Sequence, residues 1–302
     1  MAATGLFVGL VTLDVIYQTP TPLGANEKRV ADAVTLAAGG PATNAAVTFQ
    51  ALGGTAQLVA ALGRHPLGTL VCQDLAQQGV TFHDVTPERT DPPPFSSIVV
   101  TACNGDRAVI SRNAVGRSPD GAGLPEGLLA PADVVLVDGH QIALGRLAAH
   151  QARQRGIPVV VDAGSWKPGF DTLLPLATVV IASQGFRPPG CATVEAAIAY
   201  LRQLAIPHIA VTQGAGPILV AQGDRIRSLA VPPCAVVDTL GAGDIFHGAF
   251  CHYYRDHGFE AALHLAMPVA ARACQSFGTR AWLGSTPALP EPMARSSETV
   301  DG

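Results

Sequence analysis

The stretch that decides the fold reads Val237-Asp238-Thr239-Leu240-Gly241-Ala242-Gly243-Asp244-Ile245-Phe246-His247-Gly248-Ala249-Phe250. Two glycines separated by a small residue precede an amphipathic segment, which predicts a loop that opens a helix and leaves its first amides without an acceptor. The helix dipole and the lack of large side chains favour an anion at such a loop. We therefore expect Gly241, Ala242 and Gly243 to bind a phosphate group.

Asp244 follows this loop directly. For an isolated Gly-x-Gly, a tight turn followed by an ordinary first-turn acid is the commoner interpretation. A carboxylate beside a bound phosphate would repel it, however, so Asp244 makes more sense as a general base that accepts a proton from a substrate hydroxyl. The loop and the acid together indicate a phosphotransferase.

Length, charge and cysteine spacing limit the classes of protein to which the chain could belong. The chain has 302 residues, of which 48% are hydrophobic, enough for one large α/β domain or two smaller ones. A net charge of −4 and the absence of a Lys/Arg stripe argue against a nucleic-acid partner. No apolar run approaches the ~20 residues of a membrane span, the N-terminus lacks a basic leader, and the six cysteines are widely spaced. We expect a cytoplasmic protein with no disulfide and no membrane partner, whose ligands are small molecules.

Short runs rich in Val and Ile alternate with helix-length segments in the second half of the chain. The runs cover residues 134–138, 158–162, 178–182 and 208–212. This alternation predicts a parallel sheet with helices on both faces. Leu6 to Leu13 is interpreted as the first strand, so Asp14 would follow its carboxyl end, where it either grips a sugar hydroxyl or caps a turn.

A second glycine motif, Ala38-Gly39-Gly40-Pro41-Ala42-Thr43-Asn44, leads into an Ala-rich helix that ends near Gly53. Gly-Gly-x-x-x-Asn before such a helix resembles the first signature of the ribokinase-like (PfkB) carbohydrate kinases. Asp-Thr-Leu-Gly-Ala-Gly-Asp-x-Phe, which begins at Asp238, resembles the second signature of that family. The two motifs stand in the family's order, about two hundred residues apart, and the likeness extends over nearly the whole chain.

The resemblance implies a ribokinase-like α/β fold, which is a three-layer α/β/α arrangement with a mainly parallel central sheet and a small β lid. The nucleotide- and sugar-binding domain would comprise residues 1–14, 39–94 and 114–286, the lid would comprise 15–38 and 95–113, and 287–302 would form a loose tail. The lid includes a hairpin predicted from alternating runs on either side of Asn104-Gly105-Asp106. An exposed lid sheet also suggests a homodimer formed through the lid.

The resemblance further implies an ATP-dependent kinase that transfers the γ-phosphoryl group to a small sugar of the ketose or pentose type. Mg²⁺ would accompany ATP, and K⁺ is a further expected cofactor. Many family members order the Mg²⁺ water shell with Asn-x-x-Glu, for which this chain has Ser183-Gln184-Gly185-Phe186, so the magnesium arrangement is open. The implied roles are Asp14, Gly39, Gly40, Asn44 and Arg112 for the sugar, Thr212, Gly214, Thr239, Gly241, Gly243 and Gly278 for the nucleotide, and Asp238 with Thr239 for the monovalent cation.

Arg112 is expected to leave the hairpin on the side that faces the sugar, where it would pair with an anionic substituent or the transferring phosphoryl group. A solvated or structural role is the alternative.

Two rival functions also stay open. A nucleoside kinase of the same fold would need an aromatic partner for the base, and a sugar-binding sensor would have lost turnover. An NAD-dependent oxidoreductase is disfavoured, because Gly5 and Gly9 do not form Gly-x-Gly-x-x-Gly.

Overall fold

A computed structural model describes residues 2–114, 119, 123–223 and 225–284. The predicted tail, 287–302, lies outside the described residues. Two sheets and six α-helices make up the described chain. The strands are β1 Thr4–Val8, β2 Thr12–Thr19, β3 Ala33–Gly39, β4 Thr55–Ala60, β5 Thr81–Asp84, β6 Phe95–Thr101, β7 Arg107–Arg112, β8 Val134–Val137, β9 Val159–Ala163, β10 Val179–Ser183, β11 His208–Gln213, β12 Gly216–Gln222 and β13 Arg225–Leu229. The helices are α1 Pro41–Ala51, α2 Pro66–Gln77, α3 Ile142–Gln154, α4 Phe170–Leu173, α5 Val194–Gln203 and α6 Ala242–Ala273.

The larger sheet has nine strands in the order β13-β12-β11-β10-β9-β8-β1-β4-β5. Seven neighbouring strands, from β11 to β5, are parallel, and β12 and β13 add an antiparallel edge. Side chains alternate between two cores: Phe7 packs with α1, α2 and α6 on one face, and Leu6 and Val8 pack with α3, α4 and α5 on the other. The predicted three-layer α/β/α fold with a mainly parallel sheet is confirmed.

The first strand is shorter than the predicted Leu6–Leu13 segment. β1 ends at Val8, and β2, which begins at Thr12, belongs to the smaller sheet. The chain leaves the larger sheet because the Asp138 carboxylate occupies the space beside Gly9, about 2.2 Å from where a Cβ would stand, and accepts a hydrogen bond from the Leu10 amide at 2.8 Å. Asp14 therefore lies inside β2, and the prediction that it follows the end of the first strand was wrong.

The smaller sheet has the order β3-β2-β6-β7. The predicted hairpin is present as the antiparallel pair β6 and β7, whereas β2 and β6 run parallel. On the inner face, Ile16, Ile98 and Val100 pack against Leu240 and Phe277 of the larger unit. This face holds the sheet over the loop that precedes α6, and whether the sheet moves as a separate lid stays a prediction.

Two glycines with positive φ shape the helices α1 and α6. Gly40 precedes α1 with a φ of 103°, a conformation that side chains rarely adopt. α6 contains Gly258 with a φ of 76°, so it consists of two helical segments joined by a kink. No helix in the described ranges is both long and apolar enough to cross a membrane.

Candidate active site

The loop before α6 presents three free amides. Gly241 has a φ of 71°, and the helix begins at Ala242. The Ala242 and Ile245 amides donate to backbone oxygens of Thr239 and Gly241, at 3.3 and 2.8 Å. The amides of Gly241, Gly243 and Asp244 have no backbone or side-chain acceptor within the described part of the chain. A Cβ on Gly243 would meet no atom within 4 Å, so this side of the loop is open. The arrangement fits an anion such as a phosphate group.

The two glycine motifs of the sequence meet at this loop. Asn44, in the first turn of α1, donates a hydrogen bond from Nδ2 to Oδ2 of Asp244 at 2.8 Å. Both atoms lie beside Gly241, where a Cβ would stand 3.4 Å from the Asn44 nitrogen and 3.8 Å from the Asp244 oxygen. The fold thus brings together side chains that are 200 positions apart in sequence.

Burial, together with the neighbouring charge of Asp162, raises the pKa of Asp244 from 3.8 to about 7. The hydrogen bond from Asn44 and the nearby imidazole of His247 act in the opposite direction. A carboxylate with a pKa near neutrality exchanges protons readily at the pH of a cell. The site can therefore bind an anion and accept a proton within one helical turn.

Asp162 and His247 lie directly behind Asp244. Asp162 is in β9, and its Oδ2 is 3.5 Å from Nδ1 of His247, which lies one turn into α6. The His247 ring is also 2.7 Å from the Gly243 carbonyl through Nδ1 and 3.2 Å from the Ile181 carbonyl through Nε2. Both side chains are almost fully buried, because only 6% of the His247 side chain and 7% of the Asp162 side chain is exposed. These contacts depend on strands β9 and β10, so the sequence near His247 gives no sign of them.

A second carboxylate, Asp138, follows β8 and is fully buried. Its oxygens accept hydrogen bonds from the amides of Leu10, Ala42 and His140 at 2.8, 3.1 and 2.9 Å, and the His140 ring is 3.3 Å away. Burial by itself would raise the pKa of Asp138, but the charge of His140 and these hydrogen bonds lower it to about 2. Asp138 is therefore a permanent anion that ties β1, α1 and β8 together.

Asp14 points to the same region from the smaller sheet. Its Oδ1 accepts a hydrogen bond from Thr12 Oγ1 at 2.5 Å. Its Oδ2 lies so close to Gly39 that a Cβ there would be 1.9 Å away, so only glycine fits beside this carboxylate. Burial raises the pKa of Asp14, and hydrogen bonds from Thr12 and Ser96 and the charge of Arg280 oppose that shift.

Arg280 is a site residue that the sequence reasoning missed. Its Nη1 donates to Oδ1 of Asn44 at 3.0 Å, and its Nη2 binds Oδ2 of Asp74 at 3.2 Å and also the Ala38 carbonyl. The guanidinium thereby fixes the Asn44 amide with its nitrogen toward Asp244. The sequence gives no sign that this arginine is buried, because its partners Asn44 and Asp74 are more than 200 residues away along the chain.

Asp238 and Thr239 connect the loop of Gly241 to Asp244, called the anion loop below, to other segments. Asp238 accepts hydrogen bonds from the amides of Leu240 and Gly278, both at 2.8 Å. Thr239 Oγ1 accepts a 2.6 Å hydrogen bond from Arg107 of β7, another residue that was not singled out beforehand. The loop is thus fixed between the smaller sheet and the segment that follows α6.

The expected nucleotide residues Thr212 and Gly214 lie at the carboxyl end of β11, and Thr212 pairs with Ser183 at the end of β10. A Cβ on Gly214 would meet no atom within 4 Å, so its surroundings are open. These residues lie at the sheet edge where ligands of parallel α/β sheets bind. In the described residues, no hydrogen bond joins them to the Gly241 loop.

The register of the smaller sheet does not place Arg112 on the Asp14 face. Asp14 pairs with Ser96, and Ser96 pairs with Ser111, so these three side chains share a face. Arg112 pairs with Phe95, one position along, and adjacent side chains of a strand point to opposite faces. The prediction that Arg112 faces the sugar side was wrong, and its side chain is exposed.

Comparison with known proteins agrees with this geometry. The family model described as pfkB family carbohydrate kinase matches residues 5–285. The ketohexokinase of Mus musculus is 24% identical over 284 residues, which cover 89% of this chain and 95% of that protein. The ribokinase of Arabidopsis thaliana is 25% identical over 278 residues, which cover 84% and 70%.

Solved structures share the fold. A candidate ribokinase of Agrobacterium tumefaciens superposes with a TM-score of 0.82 at 26% identity, covering 92% of this chain and 93% of that one. Arabidopsis thaliana ribokinase in complex with ribose and ATP gives a TM-score of 0.73 at 23% identity, with 92% and 94% coverage. Since the family match spans nearly the whole chain and both glycine motifs converge on one site, this protein belongs to the pfkB family of carbohydrate kinases.

Proposed function

We propose that this carbohydrate kinase phosphorylates a hydroxyl of a small sugar of the ketose or pentose type, with Asp244 as the general base. The observation that carries the proposal is the position of Asp244. Its carboxylate lies beside Asn44 and Gly241, its pKa is near 7, and the free amides of the anion loop adjoin it. A hydroxyl docked here would lose its proton to Asp244 while the amides of Gly241, Gly243 and Asp244 hold the transferring phosphoryl group.

Asp14, Gly39, Gly40 and Asn44 are proposed to hold the sugar. Support comes from the Asp14 carboxylate, which lies against Gly39, and from Asn44, whose amide is already in contact with the proposed base. A carboxylate can accept two hydrogen bonds from neighbouring hydroxyls, a common way to fix a sugar. Asp14 and Asn44 would thus position one hydroxyl near Asp244.

Thr212, Gly214, Thr239 and Gly278 are proposed to bind ATP, and the helix that begins at Phe259 is proposed to flank the adenine. In the described residues, no group of three or more His, Cys, Asp or Glu side chains could hold a metal ion. Mg²⁺ is instead proposed to arrive with ATP, coordinated mainly by phosphate oxygens and water, and to neutralise phosphate charge.

A K⁺ ion is proposed to bind backbone oxygens near Asp238 and Thr239. The Asp238 carboxylate already accepts two amide hydrogen bonds, so carbonyl oxygens would supply the ligands. The contact between Arg107 and Thr239 supports a closed position of the smaller sheet over the site. Such a cover would exclude water, which competes with the sugar as a phosphoryl acceptor.

The test is ADP formation with a panel of neutral sugars, anionic sugars and nucleosides, each with and without K⁺. We expect turnover with at least one sugar, and we expect Asp244→Asn to lower it by at least ~10²-fold while ATP binding persists. Near-normal turnover in that variant would refute the role of Asp244. Turnover with nucleosides alone would favour the nucleoside kinase, and sugar binding without any turnover would favour the sensor.

We further propose that the chain forms a homodimer through the outer face of the smaller sheet. That face exposes Tyr17, Val34, Leu36 and Ile110, the last with 80% of its surface accessible. Contiguous apolar side chains of this kind are typical of subunit contacts. Light scattering should give twice the chain mass of 31.0 kDa, and Ile110→Glu should return a monomer. A wild-type monomer at micromolar concentration would refute this proposal.

A further inference from the structure

In the described part of the chain, the polar neighbours of the buried His247 ring are all oxygen atoms. Nδ1 of His247 faces the Gly243 carbonyl at 2.7 Å and Asp162 Oδ2 at 3.5 Å, and Nε2 faces the Ile181 carbonyl at 3.2 Å. A carbonyl oxygen has no proton to donate. A neutral imidazole would therefore direct one nitrogen lone pair at an oxygen lone pair, whereas an imidazolium donates from both nitrogens.

A positive charge at this place would need compensation. His247 lies in the second turn of α6, and the amino-terminal end of a helix disfavours a cation. Two carboxylates provide this compensation: Asp162 of β9 is 3.5 Å away, and Asp244 lies one turn earlier on α6. Asp162 is buried, whereas Asp244 is half-buried at the open side of the loop, so the effect of Asp162 on the imidazole is the less screened of the two.

We propose that His247 is held as an imidazolium, and that its charge offsets Asp162 so that Asp244 can ionise near neutral pH. His247 is a positioning residue in this proposal, because it touches neither sugar nor ATP. Its Nδ1 proton also holds the Gly243 carbonyl, which fixes the peptide plane that carries the Asp244 amide of the anion loop. The inference rests on the proposed role of Asp244 as the base.

The charged groups around Asp244 set the expected direction of the effect. Asp162 and, more weakly, Asp138 raise the pKa of Asp244, whereas the Asn44 hydrogen bond and the charge of His247 lower it. Arg280 also interacts with Asp244. If the His247 charge is removed and the other groups remain, the pKa of Asp244 must rise, and the acid limb of the rate profile must move to higher pH.

The first experiment measures the ring protonation of His247 directly. In nitrogen-15 spectra of the full chain at pH 8, assigned with His247→Asn, we expect the His247 signal to show both nitrogens protonated. His208 and His252 provide internal references, because burial lowers the pKa of each and they should be neutral at pH 8. A His247 signal with one unprotonated nitrogen would overturn the proposal, whatever the kinetic results show.

The second experiment measures turnover against pH in wild type and His247→Asn, whose amide retains a donor for the Gly243 carbonyl but carries no charge. We expect the acid limb to move up by about one pH unit, so that the ratio of rates at pH 6.5 and pH 9 falls roughly five- to tenfold. His208→Asn is the matched control and should leave the limb unchanged. A limb that stays in place in His247→Asn would contradict the proposal.

The outcomes separate this inference from the proposed function. A wild-type profile without an acid limb near pH 7 would refute the base assignment, while the nitrogen-15 result would still decide the charge of His247. If His247→Asn fails to fold, His247→Gln provides the assignment of the wild-type spectrum in its place. The assigned His247 signal then decides the proposal by the same criterion, both nitrogens protonated or one unprotonated.

Discussion

Two aspartates near the proposed active site, Asp138 and Asp244, have opposite environments. Asp138 receives three backbone amide hydrogen bonds and lies beside His140, and its pKa is lowered to about 2. Asp244 accepts one side-chain hydrogen bond from the described residues, that of Asn44, and burial and the charge of Asp162 raise its pKa to about 7. The number of donors, together with the sign of the nearest charge, distinguishes a structural anion from a proton acceptor.

The difference explains why only one of the two carboxylates suits catalysis. A fully hydrogen-bonded anion has no free lone pair for a substrate hydroxyl, and its low basicity gives little driving force for proton transfer. Asp244 keeps accepting capacity toward the open side of the anion loop. Each prediction below changes one side of this contrast, beginning with the largest expected effect.

The first prediction removes the charge of Asp138. In Asp138→Asn, an NH₂ group or an uncharged oxygen must face the amides that now bind the carboxylate, so we expect the free energy of unfolding to fall by about 3 kcal/mol at pH 7. Urea denaturation measures this loss. The control is Asp256→Asn, which removes an exposed contact with Arg255 and should leave the free energy of unfolding nearly unchanged. Equal losses in the two variants would contradict the structural role.

The second prediction concerns the pH dependence of turnover. Because Asp244 acts as a base only when ionised and its pKa is about 7, kcat should fall about tenfold for each pH unit below 7 and level off above 8. Asp138 is ionised over this whole range and should contribute no limb. Rate measurements between pH 5 and 9 at saturating sugar and ATP test this. A flat profile down to pH 5 would place the base elsewhere.

The third prediction concerns stability at the base itself. The folded-state pKa of Asp244 lies above the unfolded value of 3.8, so stability from its protonated form is lost as the pH rises toward 7. Asp244→Asn removes that loss and should raise the free energy of unfolding by roughly 2 kcal/mol at pH 8. The gain should vanish below pH 4. A variant that is less stable than wild type at pH 8 would show that burying the ionised Asp244 carboxylate does not destabilise the folded state.

The fourth prediction removes the single donor to Asp244. Asn44→Ala deletes the hydrogen bond that lowers the pKa of Asp244, so the acid limb of kcat should move up by about half a pH unit. Since Asn44 is also proposed to bind the sugar, the KM for the sugar should rise in addition to the shift of the acid limb. Gln141→Ala provides a comparison at another buried amide, and its limb should stay in place. A downward shift in Asn44→Ala would contradict the account of the Asp244 environment.

Most of the fold was predictable from local patterns. The Val- and Ile-rich runs correctly predicted β8 to β11, and the Asn104-Gly105-Asp106 turn correctly predicted the β6–β7 hairpin. The break at Gly9 was not predictable, because it depends on Asp138, which is 128 residues from Leu10 in sequence. A continuous apolar run shows no sign of a side chain that enters from another strand.

The site was predicted only in part, because several of its contacts join residues that are far apart in sequence. The glycine motifs correctly predicted the loops that open α6 and α1, the second with Asn44 in its first turn, while the binding of an anion and a sugar there stays a proposal. Arg280 and Arg107 went unrecognised because a single arginine gives no sign of its partners, and Arg112 was assigned to the wrong face because strand register decides that direction. The charge pattern behind Asp244 likewise depends on contacts between separate strands and a helix.

The short connection between the two sheets limits how the site can open. Only Gly9, Leu10 and Val11 separate β1 from β2, and the Leu10 amide is held by Asp138. The smaller sheet is therefore held close to the larger sheet at this end. At its other end, beside the hairpin turn, Arg107 donates to Thr239 Oγ1, and Thr239 Oγ1 donates to the Gly105 carbonyl. The sheet is thus fixed to the larger unit at both ends of its strands, and the loss of either Thr239 contact would leave it attached mainly beside Asp138.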